Sequence, residues 1–483
     1  MKVIIVGAGI AGLSLAISLT RHNHQVVLVE SAPQLAELGA GIQLTPQAIK
    51  YLFKWGLKDD LLAESIVPDC MYIRHYQDGR LLGTIPVDQM ATRYGAPYIV
   101  VHRAVLHSIL HKHAAHGGAE IRTDARVVTY DFAAGAVELH TGERLEADIV
   151  VAADGINSFA RQQLLGASDP GSRPTGWAAF RMSAEMGRVR DDPLLACVTG
   201  LESGSSNFWI APHRSCMTYL VKGGTMLNIV LSHRDDVDTR GFSREQYKQT
   251  VDEQFRSFDT PYVFCHFARF IFSLNLLIQR GASVRRLLEL SDPKISNYPV
   301  YEVPPLPKWV HSSGRFTLMG DAAHAMAFYM SMGVSLAVED ATALATALNF
   351  VEAKANSKAR GSAPTLASCA GKEILRKVMH EFQKVRKRRV LAVQRASLYA
   401  GDTLHVEDGD KRVALYEALR QSDRAFLQPP MDPSHIVEHT IQIVPGGPER
   451  CGLGGISDKA ARDWCYDFDA DGDVLSAIEM VDI

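Results

Sequence analysis

Cysteine is scarce in this chain: seven residues in 483, at Cys70, Cys197, Cys216, Cys265, Cys369, Cys451 and Cys465, with no Cys-x-x-Cys pair. An odd, widely spaced set excludes a disulfide framework and a zinc site, and it fits a reducing compartment, so a cytoplasmic protein is expected. An excess of one charge is also missing. Fifty-one basic residues face 54 acidic ones for a net charge of −3, which leaves no global attraction to nucleic acid or to an anionic membrane. Clean apolar runs of membrane length are lacking too. The stretch VIIVGAGIAGLSLAISL after Met1-Lys2 is interrupted by three glycines, and PYVFCHFARFIFSLNLLIQRG (261–281) carries His266 and Arg269, so no stable membrane span is expected. A cleaved secretory signal is rejected at the N-terminus, because cleavage would discard a glycine-rich turn that makes sense only inside a fold.

What the chain does have is the profile of a globular protein, with 47% hydrophobic and 22% charged residues and length for about three domains. Val3-Ile4-Ile5-Val6 reads as a strand buried on both faces, and it runs directly into Gly7-Ala8-Gly9-Ile10-Ala11-Gly12. This is the G-x-G-x-x-G pattern. Gly7 permits the tight turn, Gly9 clears the space where a pyrophosphate approaches backbone, and Gly12 lets the next helix pack on the strand. The N-terminus of that helix then faces the phosphates. A second apolar strand, Val26 to Val29, ends in Glu30, placed to accept ribose hydroxyls and to repel a 2′-phosphate. The dinucleotide should therefore be FAD or NAD rather than NADP.

Two later segments repeat the theme of a buried strand closing on a carboxylate. Ala147–Ala153 leads to Asp154-Gly155, followed by Ser158 and Arg161, and Phe316–Met319 leads to Gly320-Asp321. In an open α/β sheet, ligands bind at such carboxyl ends. The trio GAGIAG with Glu30, AADGINSFAR (152–161) and GDAAHAM (320–326) resembles the single-component flavoprotein monooxygenases, particularly the salicylate hydroxylase-like enzymes of fungal secondary metabolism.

The resemblance spans about residues 1–400 and implies an α/β fold: a Rossmann-like, doubly wound FAD-binding sheet, an inserted antiparallel β substrate domain and a C-terminal helical region. It implies that Glu30 holds the adenosine ribose, Arg103 contacts the flavin, Asp154 serves FAD and nicotinamide binding, and Asp321 binds the ribityl chain. Gly41 and Ile42, in the Glu37–Ile42 segment, and Gly333 and Val334, at the start of a helix, would abut the cofactor. NADH or NADPH would act as a transient co-substrate, which agrees with the lack of a second G-x-G-x-x-G. The implied chemistry adds O2 to reduced flavin as a C4a-hydroperoxide, whose distal oxygen passes to a small aromatic substrate, a phenol or an indole. A flavin oxidase or dehydrogenase, or an inert FAD-binding module, is the alternative. Oligomeric state is left open.

The chain departs from the family pattern after GDAAHAM, reading Phe328-Tyr329-Met330-Ser331-Met332-Gly333 where Pro-Tyr-Met-Ser-Gln-Gly is usual, which leads us to expect a more apolar flavin edge. Between 175 and 232, short aromatic and β-branched segments separated by Pro212 or Gly223-Gly224 read as antiparallel sheet. Arg181 and Tyr219 there match family positions implicated in substrate activation, the arginine stabilising a phenolate or enolate. The alternative for each is an ordinary sheet residue. The resulting division is an FAD domain over 1–174, a substrate sheet over 175–300, a return to the FAD domain over 301–350, a flexible loop over 351–371, and a C-terminal helix with an extension over 372–483.

Four segments imitate other functions. His107, His111, His113 and His116 read as an exposed histidine-rich helix rather than a zinc site, since no acidic or cysteine partner completes one. Lys384–Arg389 reads as the solvated face of a helix over about 372–399. Asp467–Gly472 imitates a calcium loop, but position twelve is Ile478, so an acidic turn is expected. The abrupt apolar run 261–281 reads as a substrate-side flap or a translated intron, and the tail from 430 as a wrapped extension.

Overall fold

The computed structural model describes residues 1–35, 39, 41–192, 195, 204–258, 283–357, 368–426 and 459–481. Alternate residues of the first strand, Lys2–Val6, feed two different cores, Val3 and Ile5 on one face and Ile4 and Val6 on the other. Such burial on both faces fixes the strand at the centre of a parallel sheet. The order is Phe316–Leu318, Ile149–Ala152, Lys2–Val6, Gln25–Val29, Glu120–Arg122, and every pairing is parallel. Glu30, Asp154 and Asp321 thus follow strands on both sides of Lys2–Val6, all at the carboxyl end of the sheet. Helices Ile10–Thr20, Arg103–His116 and Gly333–Ser357 pack together on the face that holds Val3 and Ile5.

The second sheet has seven strands in the order Ser296–Glu302, Arg173–Glu185, Met226–Arg234, Arg214–Val221, Ser206–Ala211, Cys70–His75, Leu81–Pro86. Two of these come from the 1–174 span that the sequence reading gave wholly to the FAD domain, and Cys70–His75 pairs with Ser206–Ala211 in parallel. Pairing between strands some 135 residues apart leaves no local trace in either one. One face of the sheet carries Phe180, Met182, Trp209, Leu220 and Leu231 into a core shared with helices Arg244–Gln254 and Ser283–Leu290. Alternation sends their neighbours to the opposite face.

The expected C-terminal helix runs over Cys369–Leu404, about 54 Å at 1.5 Å per residue. It packs along the Gly333–Ser357 helix, and a further helix, Asp410–Phe426, covers strand Leu81–Pro86. Helix extends to Ser357 and resumes at Cys369, so the loop expected over 351–371 is helical at both ends, because Val351 and Ala355 still find apolar partners. The Asp467–Gly472 segment is a correction as well. Asp469 precedes a helix, Ala470–Glu479, docked against both long helices through buried Ala470, Val474 and Ile478, and Asp471 accepts from Thr346 Oγ1 at 2.9 Å. The 261–281 run and residues 430–458 of the tail lie outside the described residues.

Candidate active site

The glycine-rich turn does what its sequence requires. Gly7 adopts φ +105°, and a Cβ there would strike the Ala153 carbonyl, while one on Gly12 would strike the Gly7 carbonyl. Gly9 differs: nothing lies within 4 Å of where its Cβ would stand. That bare backbone borders a cavity of about 560 Å³, onto which the N-termini of helices Ile10–Thr20 and Gly333–Ser357 both open. Two positive helix ends facing one space suit an anionic, electron-accepting cofactor. Gly9, Gly41, Ile42, Arg103, Asp321, Gly333 and Val334 all line it, together with Arg181 and Tyr219 from the second sheet.

The other four expected residues stand behind this lining. Gly7 and Gly12 shape the turn. Glu30 accepts from Ala8 N and from Ala32 N, each at 2.8 Å, which anchors its carboxylate beside the glycine-rich loop. Asp154 accepts from Ala160 N at 3.1 Å through Oδ2, while Oδ1 is buried without a hydrogen-bond partner. Burial raises the Asp154 pKa above the ordinary carboxylate value. Asp321 lines the cavity, and desolvation by the surrounding protein raises its pKa against the opposing charges of His324 and Arg103. A bare glycine cradle, an arginine and a carboxylate lining one crevice, with the orphaned Asp154 oxygen just behind it, fit FAD.

Arg181 meets the ring of Tyr298 at 5.4 Å, and its Nε is buried with no hydrogen-bond partner. Arg181 thus lines the cavity rather than standing on a solvated sheet face. Tyr219 is different. Its hydroxyl donates to the Gly41 carbonyl at 2.7 Å and its ring packs against Gly41, so it holds the cofactor-side strand Gly41–Leu44 rather than presenting a free hydroxyl to substrate. Burial pushes its pKa up to about 12, against the lowering charge of Arg181.

The expected apolar flavin edge is corrected at one of its two positions. Met332 is buried beneath the loop, its sulfur accepting from Gln47 Nε2 at 3.3 Å, and it does not reach the cavity, whereas Phe328 does. Left-handed Ser331, φ +55°, turns the chain between them. His107 is likewise buried, bonded to the Ala8 carbonyl at 2.7 Å, so the histidine-rich helix is not exposed along that face: there it braces the glycine-rich loop, while His116 is exposed.

Behind the cofactor wall lies a charge network that sequence reading assigned to solvent. Arg386 and Arg389 are both buried, Arg386 pairing with Glu339 at 2.9 Å and Asp340 at 2.8 Å, and Arg389 with Glu339 at 2.9 Å. Asp340 also holds His324 at 2.6 Å and accepts from Gly320 N at 3.1 Å, which fixes the loop that presents Asp321. Burial alone would raise the Asp340 pKa, but His324 and Arg386 outweigh it and hold the group at about 2. Glu339 is lowered in the same way, by Arg389 and Arg386.

Cavity residues missed by the sequence reading are Met71 and Ile73, from the strand that joins the sheet at long range, and Thr403, Leu404 and Leu415, from the C-terminal helices. The alternation in Cys70–His75 was the only available signal, and it shows a strand without showing its partner.

The family model for an FAD binding domain matches residues 1–261 and 309–363. The chain belongs to the FAD-dependent monooxygenases. It is 30% identical over 423 residues to the FAD-dependent monooxygenase OpS4 of Beauveria bassiana, covering 87% of this chain and 89% of that protein. It is 31% identical to 3-hydroxybenzoate 6-hydroxylase 1 of Aquipseudomonas alcaligenes, covering 84% and 90%. Among solved structures, a salicylate hydroxylase substrate complex superposes with TM-score 0.68 at 21% identity, over 100% of this chain and 99% of that one, a likeness of fold. The protein is thus an FAD enzyme, a monooxygenase, built on the Rossmann-like architecture expected from its motifs.

Proposed function

We propose that this enzyme uses NADH or NADPH and O2 to insert one oxygen atom into an electron-rich aromatic small molecule, a phenol in preference to an indole. The bound flavin supplies electron storage and oxygen activation. Everything else falls to the chain. Glu30 and the glycine-rich turn would hold the adenosine and pyrophosphate, Asp321 the ribityl chain, and the N-terminus of Gly333–Ser357 would stabilise negative charge on the reduced ring. By its bond to the Gly41 carbonyl, Tyr219 would hold strand Gly41–Leu44 in the cavity wall. The apolar walls, Phe328, Met330 and Phe208 among them, keep water from the oxygen-transfer space.

One observation carries the reading: the cofactor-side residues and Arg181, whose guanidinium keeps an unpartnered edge, share a single cavity. A cation there favours a phenolate or enolate and so raises electron density at the attacking carbon. The relative named 3-hydroxybenzoate 6-hydroxylase supports a phenolic acid.

Stopped-flow spectroscopy of the FAD-loaded protein tests this. Phenolic substrates should accelerate flavin bleaching by NAD(P)H, and air should then restore the colour with oxygenated product formed. Bleaching by the aromatic compound alone would make the protein an oxidase instead.

A further inference from the structure

Four register pairs of the second sheet line up into one continuous row. Arg181 stands opposite Val230, Val230 opposite Met217, Met217 opposite Phe208, and Phe208 opposite Ile73. All five face the same cavity. With neighbouring strands about 4.8 Å apart, the row runs roughly 19 Å across the sheet. It begins at a guanidinium and continues through four apolar side chains. Met71 flanks the apolar end, and Leu415, on the helix that covers the edge strand Leu81–Pro86, helps to enclose it.

A single aromatic ring, some 5 to 7 Å across, would occupy only the first third of such a row. An apolar trough of the remaining length stays poorly hydrated unless ligand fills it, and two of its flanking side chains are unbranched thioethers that adapt to irregular shapes.

We propose that the substrate is an elongated amphipathic aromatic: an acidic ring, carboxylate or phenolate, held at Arg181, with an unbranched hydrocarbon extension lying over Val230, Met217, Phe208 and Ile73. This rests on the monooxygenase reading for the chemistry, but the groove is a statement about binding. Val230, Met217, Phe208 and Ile73 set the length of chain accepted, and Arg181 sets the end from which it is measured.

The test uses FAD-loaded full-length protein and 2-hydroxybenzoates bearing 4-n-alkyl chains from methyl to pentyl, with Kd read from the perturbation of the bound-flavin spectrum. Each added methylene should tighten binding three- to fourfold, the ratio that ~0.8 kcal/mol per buried CH2 converts to. Arg181→Gln should weaken every member by a common factor and leave the slope unchanged, whereas Phe208→Gln and Val230→Gln should flatten it. A Kd that is independent of chain length in the unmodified protein, or that rises from the first carbon, overturns the groove, as does a complete lack of binding. If the parent ring is hydroxylated while the series is flat, the groove falls and the monooxygenase reading stands. If affinity climbs with chain length but NAD(P)H never reduces the flavin, the reverse holds.

Discussion

At Arg181 the guanidinium Nε is left without a hydrogen-bond partner in a cavity wall that is otherwise largely apolar, and a charged group so placed is suited to meet an anion. Arg181→Ala should cut product formation by about 10²- to 10³-fold, the usual loss for one charge-stabilising donor, while the protein stays yellow. Unaltered hydroxylation in that variant would move the chemistry elsewhere. Tyr219→Phe removes one hydrogen bond to the Gly41 carbonyl, worth about 1 kcal/mol, so flavin should bind severalfold more weakly while the substrate dependence of turnover changes little; a flavin titration measures it. The two residues also show what a motif can and cannot convey. Arg181 could be singled out because its strand and its family position agree, and it lines the cavity. Tyr219 could be singled out on the same ground but its contact could not, since the acceptor of its hydroxyl lies 178 positions away.

Among the elements, the helix Gly333–Ser357 has two settings, one end at the cavity and the middle in the buried charge network. Glu339 neutralises two arginines that are almost wholly enclosed, so Glu339→Gln should destabilise the fold by ~3–5 kcal/mol and lower the melting temperature by several degrees. A variant melting within a degree of the parent would show that water screens the pair. The glycine-rich turn was readable in full, because its steric demands are local: Gly7 must hold φ +105° beside Ala153, and the sequence places a glycine there. Arg386 and Arg389 were not readable. A basic helix face and a buried ion-pair face have the same composition, and only the packing of Cys369–Leu404 on Gly333–Ser357 distinguishes them. The helix that follows Asp469 was hidden for a related reason: its stability comes from apolar contacts with distant helices rather than from its acidic N-terminal turn.

At the scale of the molecule, His405 fastens the long C-terminal helix to the substrate sheet through Ser215 Oγ at 2.9 Å, and it is 1% exposed. Burial depresses its pKa to about 4, with Arg234 and Arg412 adding to the effect. Its folded value lies below the unfolded one of about 6.5, so the unfolded chain takes up the proton first. Stability should fall as pH drops from about 6.5 to about 4, by on the order of 3 kcal/mol, and the Asp340 network should add a second loss below about pH 4. Thermal melts across that range check it, and His405→Gln should make the upper limb shallower.

The sulfur atoms around the oxygen-transfer space carry a liability of their own. Met71, Met217, Met326 and Met330 all line that chamber, and a thioether surrenders electrons to peroxide more readily than most arenes do. An enzyme left idling with reductant and air but nothing to hydroxylate should therefore corrode from within, its peptides gaining single oxygen atoms at those four positions before any at the molecular surface. Storage life would then depend less on heat than on whether the chamber is kept filled.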